Sequence, residues 1–336
     1  VFREHDAGAG HPERAARLDA IRRGLREDGL EARLLLRTPR AATGEELARV
    51  HTQAHIDRIA ATRGGTRRFD ADTVASPRSY EAAVLASGAV IEAVDEVLSG
   101  EVERAFCLAR PPGHHAGPDQ AMGFCLFNNV AVGAAHALAR GYRRVLIVDF
   151  DVHHGNGTQD AFYADPRVLY VSTHAFPFYP GTGALSEVGL GPGRGYTVNL
   201  PLPSGCGDPE FIPVYEDVVV PLGRAFEPDL LLVSAGFDAH AADPLAGMRV
   251  SSRGFGRLAA ACLSAAGASC RGAVFVVEGG YDLAALATSA AEVVRCLLGM
   301  GTAGAEVANS PAAQGLLEGY RRALGSLWPV LLGPAG

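Results

Sequence analysis

Apolar residues recur every three to four positions through His11–Gly29, Gly44–Ala61, Ser79–Leu98 and Asn128–Arg140, the spacing that turns one face of an α-helix toward a core. Pro12 stands near the first start, and Gly29, Gly100 and Gly141 stand near ends, where helices accept them. Other runs read differently. Ala105–Ala109, Val145–Phe150, Val168–Thr173, Leu230–Ser234 and Val274–Glu278 are short, apolar and bounded by Gly, Pro or polar turns, as strands buried on both faces are. Helical patterns at Asp208–Ala225, Ser252–Ala266 and Asp282–Leu298 alternate with them. This order predicts an α/β fold: an open, mainly parallel sheet with helices on both faces. Thr62–Arg78 is expected to be a surface loop, and Gly301–Gly315 a loop before a last helix that ends near residue 330. No repeat, low-complexity tract or linker cuts the chain, so its 336 residues read as a single domain with a core over 11–300.

Composition narrows the class. Hydrophobic residues at 48%, charged residues at 20% and a mean hydropathy of +0.11 argue against disorder. Thirty basic against 37 acidic residues give a net charge of −7 and a pI near 5.9, so no cationic field favours nucleic acid or an anionic membrane. All 30 basic residues are Arg, the bias of a GC-rich genome. Cys107, Cys125, Cys206, Cys262, Cys270 and Cys296 form no CxxC pair and read as reduced thiols. There is no signal-like stretch and no uncharged run of the ~20 residues that span a bilayer, so a cytoplasmic protein is expected.

In open parallel sheets, ligands sit beyond the carboxyl ends of the strands, and the residues there are unusual. Asp149 lies at the end of the second predicted strand, and Asp151, His153, His154 and Asn156 follow it. Alternation in an extended chain puts Asp149, Asp151 and His153 on one side. A catalytic Zn²⁺ uses three mixed N/O ligands and keeps a position open. Asp151 and His153 would supply two, and Asp238, directly after another strand, could supply the third. A lone Asp at a strand end is usually a cap, and a lone His a satisfied core residue; the coincidence of all these residues at one sheet edge carries the argument. His114 and His115 follow the first strand behind Arg110-Pro-Pro-Gly and can move a proton to or from a bound water. Glu278-Gly279-Gly280-Tyr281 follows the last strand, and the Tyr281 phenol can donate to a developing oxyanion.

These motifs resemble the zinc-dependent histone deacetylase and acetylpolyamine amidohydrolase superfamily, especially its class II and bacterial members. The resemblance runs from His11-Pro-Glu-Arg through Val50-His-Thr, Arg110-Pro-Pro-Gly-His-His, Gly123-Phe-Cys-Leu-Phe-Asn-Asn, Asp149-Phe-Asp-Val-His-His-Gly-Asn-Gly-Thr-Gln and Tyr179-Pro-Gly-Thr-Gly to Ala235-Gly-Phe-Asp and Glu278-Gly-Gly-Tyr. It implies an arginase-like fold and one catalytic Zn²⁺ on Asp151, His153 and Asp238. It implies that His115 is general base and then acid, with His114 its electrostatic neighbour, and that Tyr281 polarises the amide carbonyl. Asp149 would orient His114, and Asn156 would stand beside His115 where class I members have Asp. One or two K⁺ ions are implied as well, the first near Asp149, Asp151, His153, Ser172 and Thr173, the second near Phe162, Asp165, Val168 and Tyr196. Gly123, Phe124 and Gly280 match substrate-contacting positions, with Phe124 one wall of an acyl-lysine tunnel. Tyr179 stands where relatives commonly have Phe.

The resemblance implies an acylated lysine in a protein or peptide as substrate. Polyamine-preferring relatives place Glu where this chain has Leu245, and an apolar side chain cannot pair with a buried ammonium, so acyl-lysine is favoured over acetylpolyamine. A ureohydrolase would need two Mn²⁺ and further bridging carboxylates. A non-catalytic acyl-lysine binding module would lack a ligand, the base or the Tyr, and none is missing. Arg17 reads equally as an exit-channel residue or a surface helix Arg, and His240 as a neighbour of the metal site or part of its rim.

Overall fold

The apolar runs pair in parallel as expected, with one strand more than the pattern revealed. The computed structural model describes residues 1–301 and 310–333. A small antiparallel hairpin of β1 (Arg67–Arg68) and β2 (Val74–Ala75) lies inside the stretch expected to be loop. The main sheet holds β3 (Arg104–Cys107), β4 (Val145–Asp149), β5 (Val168–Ala175), β6 (Thr197–Leu202), β7 (Leu230–Ala235) and β8 (Ala273–Val277). Their order is β3, β8, β7, β4, β5, β6, and every pairing is parallel. β6 is the strand the pattern hid. It carries Pro201 and buried Asn199, and as an edge strand it tolerates a proline that a central one would not.

Helices are α1 (Ala16–Glu27), α2 (Gly44–Leu47), α3 (Gln53–Ala60), α4 (Ser79–Ser99), α5 (Asn129–Ala139), α6 (Asn156–Phe162), α7 (Asp208–Val214), α8 (Val220–Phe226), α9 (Ser252–Ala266), α10 (Leu283–Leu297) and α11 (Pro311–Leu324). Two long helices of the sequence pattern are divided. Thr43 caps the start of α2 in a reciprocal pair with Glu46, and a second N-cap, Thr52 of α3, interrupts Gly44–Ala61. Between α7 and α8 the chain widens into a π-helical turn over Tyr215–Val219, where Pro221 has no N–H to donate one turn back. α1 begins at Ala16 rather than His11, because Glu13 turns inward to Arg110. Most of the expected loop before the last helix, 302–309, lies outside the described residues, and α11 starts at Pro311.

Alternation along each strand feeds both faces of the sheet. Val145 and Ile147 pack with Val90, Val94 and Val130 from α4 and α5. Leu146 and Val148 face the opposite cluster, with Ile21 of α1, Phe211 of α7, Phe255 of α9 and Val294 of α10. All six cysteines are free, five of them buried. With both faces covered, the polar residues collect beyond the carboxyl ends of β3, β4, β7 and β8.

Candidate active site

Asp151 and His153 leave β4 two residues apart, and Asp238 follows β7. One ligand atom from each lies within 4.8 Å of the others. His153 Nδ1 is 3.1 Å from Asp151 Oδ1 and 3.2 Å from Asp238 Oδ2. The remaining oxygens are pinned by backbone: Val152 N–H donates to Asp238 Oδ1 at 2.9 Å, and Gly279 N–H to Asp151 Oδ2 at 2.8 Å. A Cβ on Gly279 would lie 2.1 Å from Asp238 Oδ2, so the glycine is what lets the β8 loop close over the carboxylates.

Burial and the neighbouring Asp151 charge push Asp238 up to about 7. Burial opposes a charged His153, but the two carboxylates win and lift it to about 10. Asp149, Asp151 and Asp238 are fully buried, and among the described residues their ion-pair partners are the imidazoles of His114 and His153 alone. Two buried carboxylates and one imidazole, uncompensated by any guanidinium, form a donor set that fits a divalent cation such as Zn²⁺.

Asp149 stays out of this triad. Its Oδ2 lies 3.0 Å from His114 Nδ1 and accepts the Tyr170 hydroxyl at 3.1 Å. His115 Nδ1 meets Asn156 Oδ1 at 2.9 Å. Because an amide oxygen only accepts, Nδ1 carries the proton and Nε2 is left as the acceptor. The two rings stand 4.0 Å apart. Burial disfavours charge on both, yet Asp149 and Asp151 lift His114 to about 10. His115 faces an amide instead, and burial together with the His114 and His153 charges holds it well below the ordinary histidine range.

Tyr281 follows β8, is buried, and stands edge-on to Phe124 at 5.9 Å. Burial raises its phenol well above the ordinary tyrosine range, so it remains an O–H donor. Arg17 is not a surface residue. It is buried under the Tyr281 ring, 5.1 Å from its centroid. Its Nε donates to the Gly280 carbonyl at 2.7 Å and Nη2 to that of Glu278, while Nη1 pairs with Glu13 at 3.2 Å.

His114, His115, His153 and Tyr281 line a cavity of about 390 Å³ together with Phe124, Tyr179, Leu245, Gly123 and Gly279, a size typical of small-molecule sites. Tyr179 stands edge-on to His115 at 5.2 Å. Gly280 gives its carbonyl to Arg17, and its neighbour Gly279 takes the lining position. A Cβ on Gly123 would lie 2.3 Å from the His115 ring. Phe124 has a φ of 69°, a strained backbone of the kind that clusters at functional sites.

Thr173 Oγ1 reaches the Asp149 carbonyl at 3.4 Å, while Ser172 Oγ pairs with His174 at 2.9 Å. The Phe162 and Asp165 carbonyls accept backbone bonds from Asp165 and Val168, and the Tyr196 carbonyl accepts from Tyr170. His240 faces away from the triad, with Nε2 on Ser252 at 3.1 Å and its ring stacked on Phe255.

Sequence reading missed several residues. Phe178 stacks on His153 at 5.5 Å, and His11, Pro12, Asp72 and Pro112 line the cavity. Glu278, quoted only as part of a motif, accepts from the Gly113 N–H at 2.6 Å and from the Ser234 hydroxyl at 3.2 Å. Glu13 and Arg110 form a buried pair behind the site. Both belong to motifs that were legible, but their partnership spans 97 residues and leaves no local signal.

A family model described as the histone deacetylase domain matches residues 11–297. The chain is 43% identical over 314 residues to histone deacetylase 15 of Arabidopsis thaliana, covering 91% of this chain and 56% of that protein; it therefore spans little more than half of the relative. It is 40% identical over 287 residues to a probable deacetylase of Archaeoglobus fulgidus, covering 84% of this chain and 79% of the other. The crystal structure of the HDA15 HD domain superposes with a TM-score of 0.91 at 40% identity, over 98% of this chain and 94% of that one. With the arginase-like sheet and the residues at its carboxyl edge already in view, these matches show that the chain belongs to the histone deacetylase family.

Proposed function

We propose that this chain is a zinc-dependent amidohydrolase that removes acetyl, or longer acyl, groups from the side-chain amine of lysine in proteins or peptides. The observation that carries the reading is the meeting of the Asp151, His153 and Asp238 donor set with His115 and Tyr281 at one cavity. A Zn²⁺ on that set supplies Lewis acidity to the attacking water and the amide carbonyl when bound. His115 Nε2 takes the proton of the attacking water, and Asn156 holds the ring in the accepting tautomer. The Tyr281 O–H donates to the carbonyl oxygen as negative charge develops there. His115 then returns its proton to the leaving nitrogen, and lysine and the free carboxylate separate. His114, paired with Asp149, helps keep the resting His115 neutral, so that Nε2 is free to accept when the water attacks. Phe124 and Tyr179 enclose the acyl-lysine stem, and each further CH₂ buried there contributes roughly 0.8 kcal/mol.

Leu245, at the cavity mouth and 37% exposed, offers nothing to a buried ammonium. A specific observation supports the second reading, an acetylpolyamine amidohydrolase: an acidic residue, Asp72, lines the same cavity. One or two K⁺ ions near the carbonyls of Asp149 and Asp165, and a cytoplasmic location suited to six free thiols, belong to the same proposal. The test is kcat/KM of the zinc-loaded protein on an acetyl-lysine peptide, a longer-acyl peptide and N-acetylputrescine, with a chelated control. Chelator-sensitive preference for the peptides is expected. Preference for the polyamine keeps the mechanism and replaces the substrate, while silence on every amide removes the enzymatic reading.

A further inference from the structure

Two loops at the cavity share one side chain that the mechanism above does not use. Asp243 is 8% exposed. Its Oδ1 accepts the Leu245 N–H at 3.0 Å. Its Oδ2 accepts the Tyr281 N–H at 2.7 Å and the Asp282 N–H at 3.4 Å. A single carboxylate thus joins the loop after β7, which carries Leu245, to the loop after β8, which carries Tyr281, and both residues line the cavity. The flanks of Tyr281 are fixed independently. Arg17 holds the Gly280 carbonyl, and Asp282 caps α10 through the amides of Ala284 and Ala285 at 3.1 and 2.8 Å. Asp243 grips the amide between them, through hydrogen bonds strengthened by its charge.

We propose that Asp243 is a positioning residue that sets the Tyr281 phenol against the reacting carbonyl and ties its place to that of Leu245, so that one carboxylate governs both turnover and substrate choice. The proposal rests on the deacylase reading. Its physical content is that an oxyanion donor acts only when held in place, and a displacement of about 1 Å costs up to about a hundredfold in rate. Alanine at this position accepts from neither amide, so it releases Leu245 and Tyr281 together.

Hydrogen exchange of the zinc-loaded wild type and Asp243→Ala, followed by mass spectrometry, tests the anchoring without reference to turnover. Peptides covering 279–283 should exchange at least about tenfold faster in the variant, with β4 and α5 unchanged. On an acetyl-lysine peptide the variant should lose about ten- to a hundredfold in kcat, retain its zinc, and change its ratio of kcat/KM between peptide and acetylpolyamine. Added to Tyr281→Phe, it should cost no more than about twofold further, because the group it positions is gone. Wild-type exchange over 279–283, or a full additional loss in the Tyr281→Phe background, overturns the proposal. Asp243→Asn, which keeps one acceptor oxygen, replaces the alanine variant if that one does not fold; faster exchange over 279–283 or over 244–246 is then expected, and wild-type exchange over both overturns the proposal. A wild type inactive on every amide removes the deacylase reading, and the exchange result still decides whether Asp243 holds Tyr281.

Discussion

On the proposed mechanism, Tyr281 and the triad residues have separable jobs, and single substitutions should separate them. Tyr281→Phe removes the proposed oxyanion donor and no proposed metal donor. Its kcat should fall by about two to three orders of magnitude while its zinc content stays at the wild-type level. Turnover within tenfold of wild type would remove the phenol from the mechanism. At this scale the sequence was most informative where chemistry is dense: Asp149, Asp151, His153 and Asn156 occupy eight consecutive positions, and Asp238 and Tyr281 stand just after strands. It was least informative where a residue acts through a distant partner. Arg17 reads equally as an exit-channel residue or a surface helix arginine until its contacts with the Glu278 and Gly280 carbonyls are seen. His240 invites a metal-site reading by proximity to Asp238, yet its ring turns to Ser252 and Phe255.

Elements are held to the site by buried polar contacts rather than by the apolar pattern that predicts them, which is why their boundaries were harder to read than their existence. Glu13 sits before α1 and meets Arg110 after β3 and Arg17 within α1, all buried. Burial opposes its charge, but hydrogen bonds from His5 and Arg110 hold it well below the usual carboxylate range. Glu13→Gln leaves two guanidiniums under-compensated and should cost about 3–5 kcal/mol of unfolding free energy, measured by urea titration; a loss under 1 kcal/mol would show that the arginines find other partners.

The loop carrying Phe124 is pinned in a comparable way. His51 accepts the Asn128 N–H at 2.9 Å and donates to the Gly117 carbonyl at 3.0 Å. Burial and the nearby His55 lower it to about 3 from an ordinary 6.5. The unfolded chain therefore takes up this proton first, so the stability His51 provides is complete above pH 6.5 and is lost as pH falls toward 3. Compared with His51→Gln, the wild type should lose about 2 kcal/mol between pH 7.5 and 5. A difference between the two proteins that does not change with pH would mean that His51 titrates alike in both states.

For the molecule as a whole, the sheet gathers at one edge more negative charge than its own cations neutralise. Alternating strands and helices made that edge legible, because an open parallel sheet has only one end where loops from β3, β4, β7 and β8 can meet. Sequence alone could not reveal how deeply the carboxylates are sunk. Asp151 and Asp238 lie fully buried against each other, and Asp238 is driven up to about 7 by burial and that repulsion. Such an arrangement costs folding energy that a bound cation would offset, so the proposed zinc binding would be linked to stability. The chelated protein should unfold at a lower temperature than the zinc-loaded one, and its midpoint should climb with the logarithm of free zinc once the site begins to fill. At a hundredfold excess over the dissociation constant, the gain is about 2.7 kcal/mol. Asp238→Ala removes a donor and relieves the repulsion together, so its midpoint should not respond to zinc and its metal content should collapse. A variant that still binds zinc in full, and is stabilised by it as the wild type is, would place the ion on another set of residues.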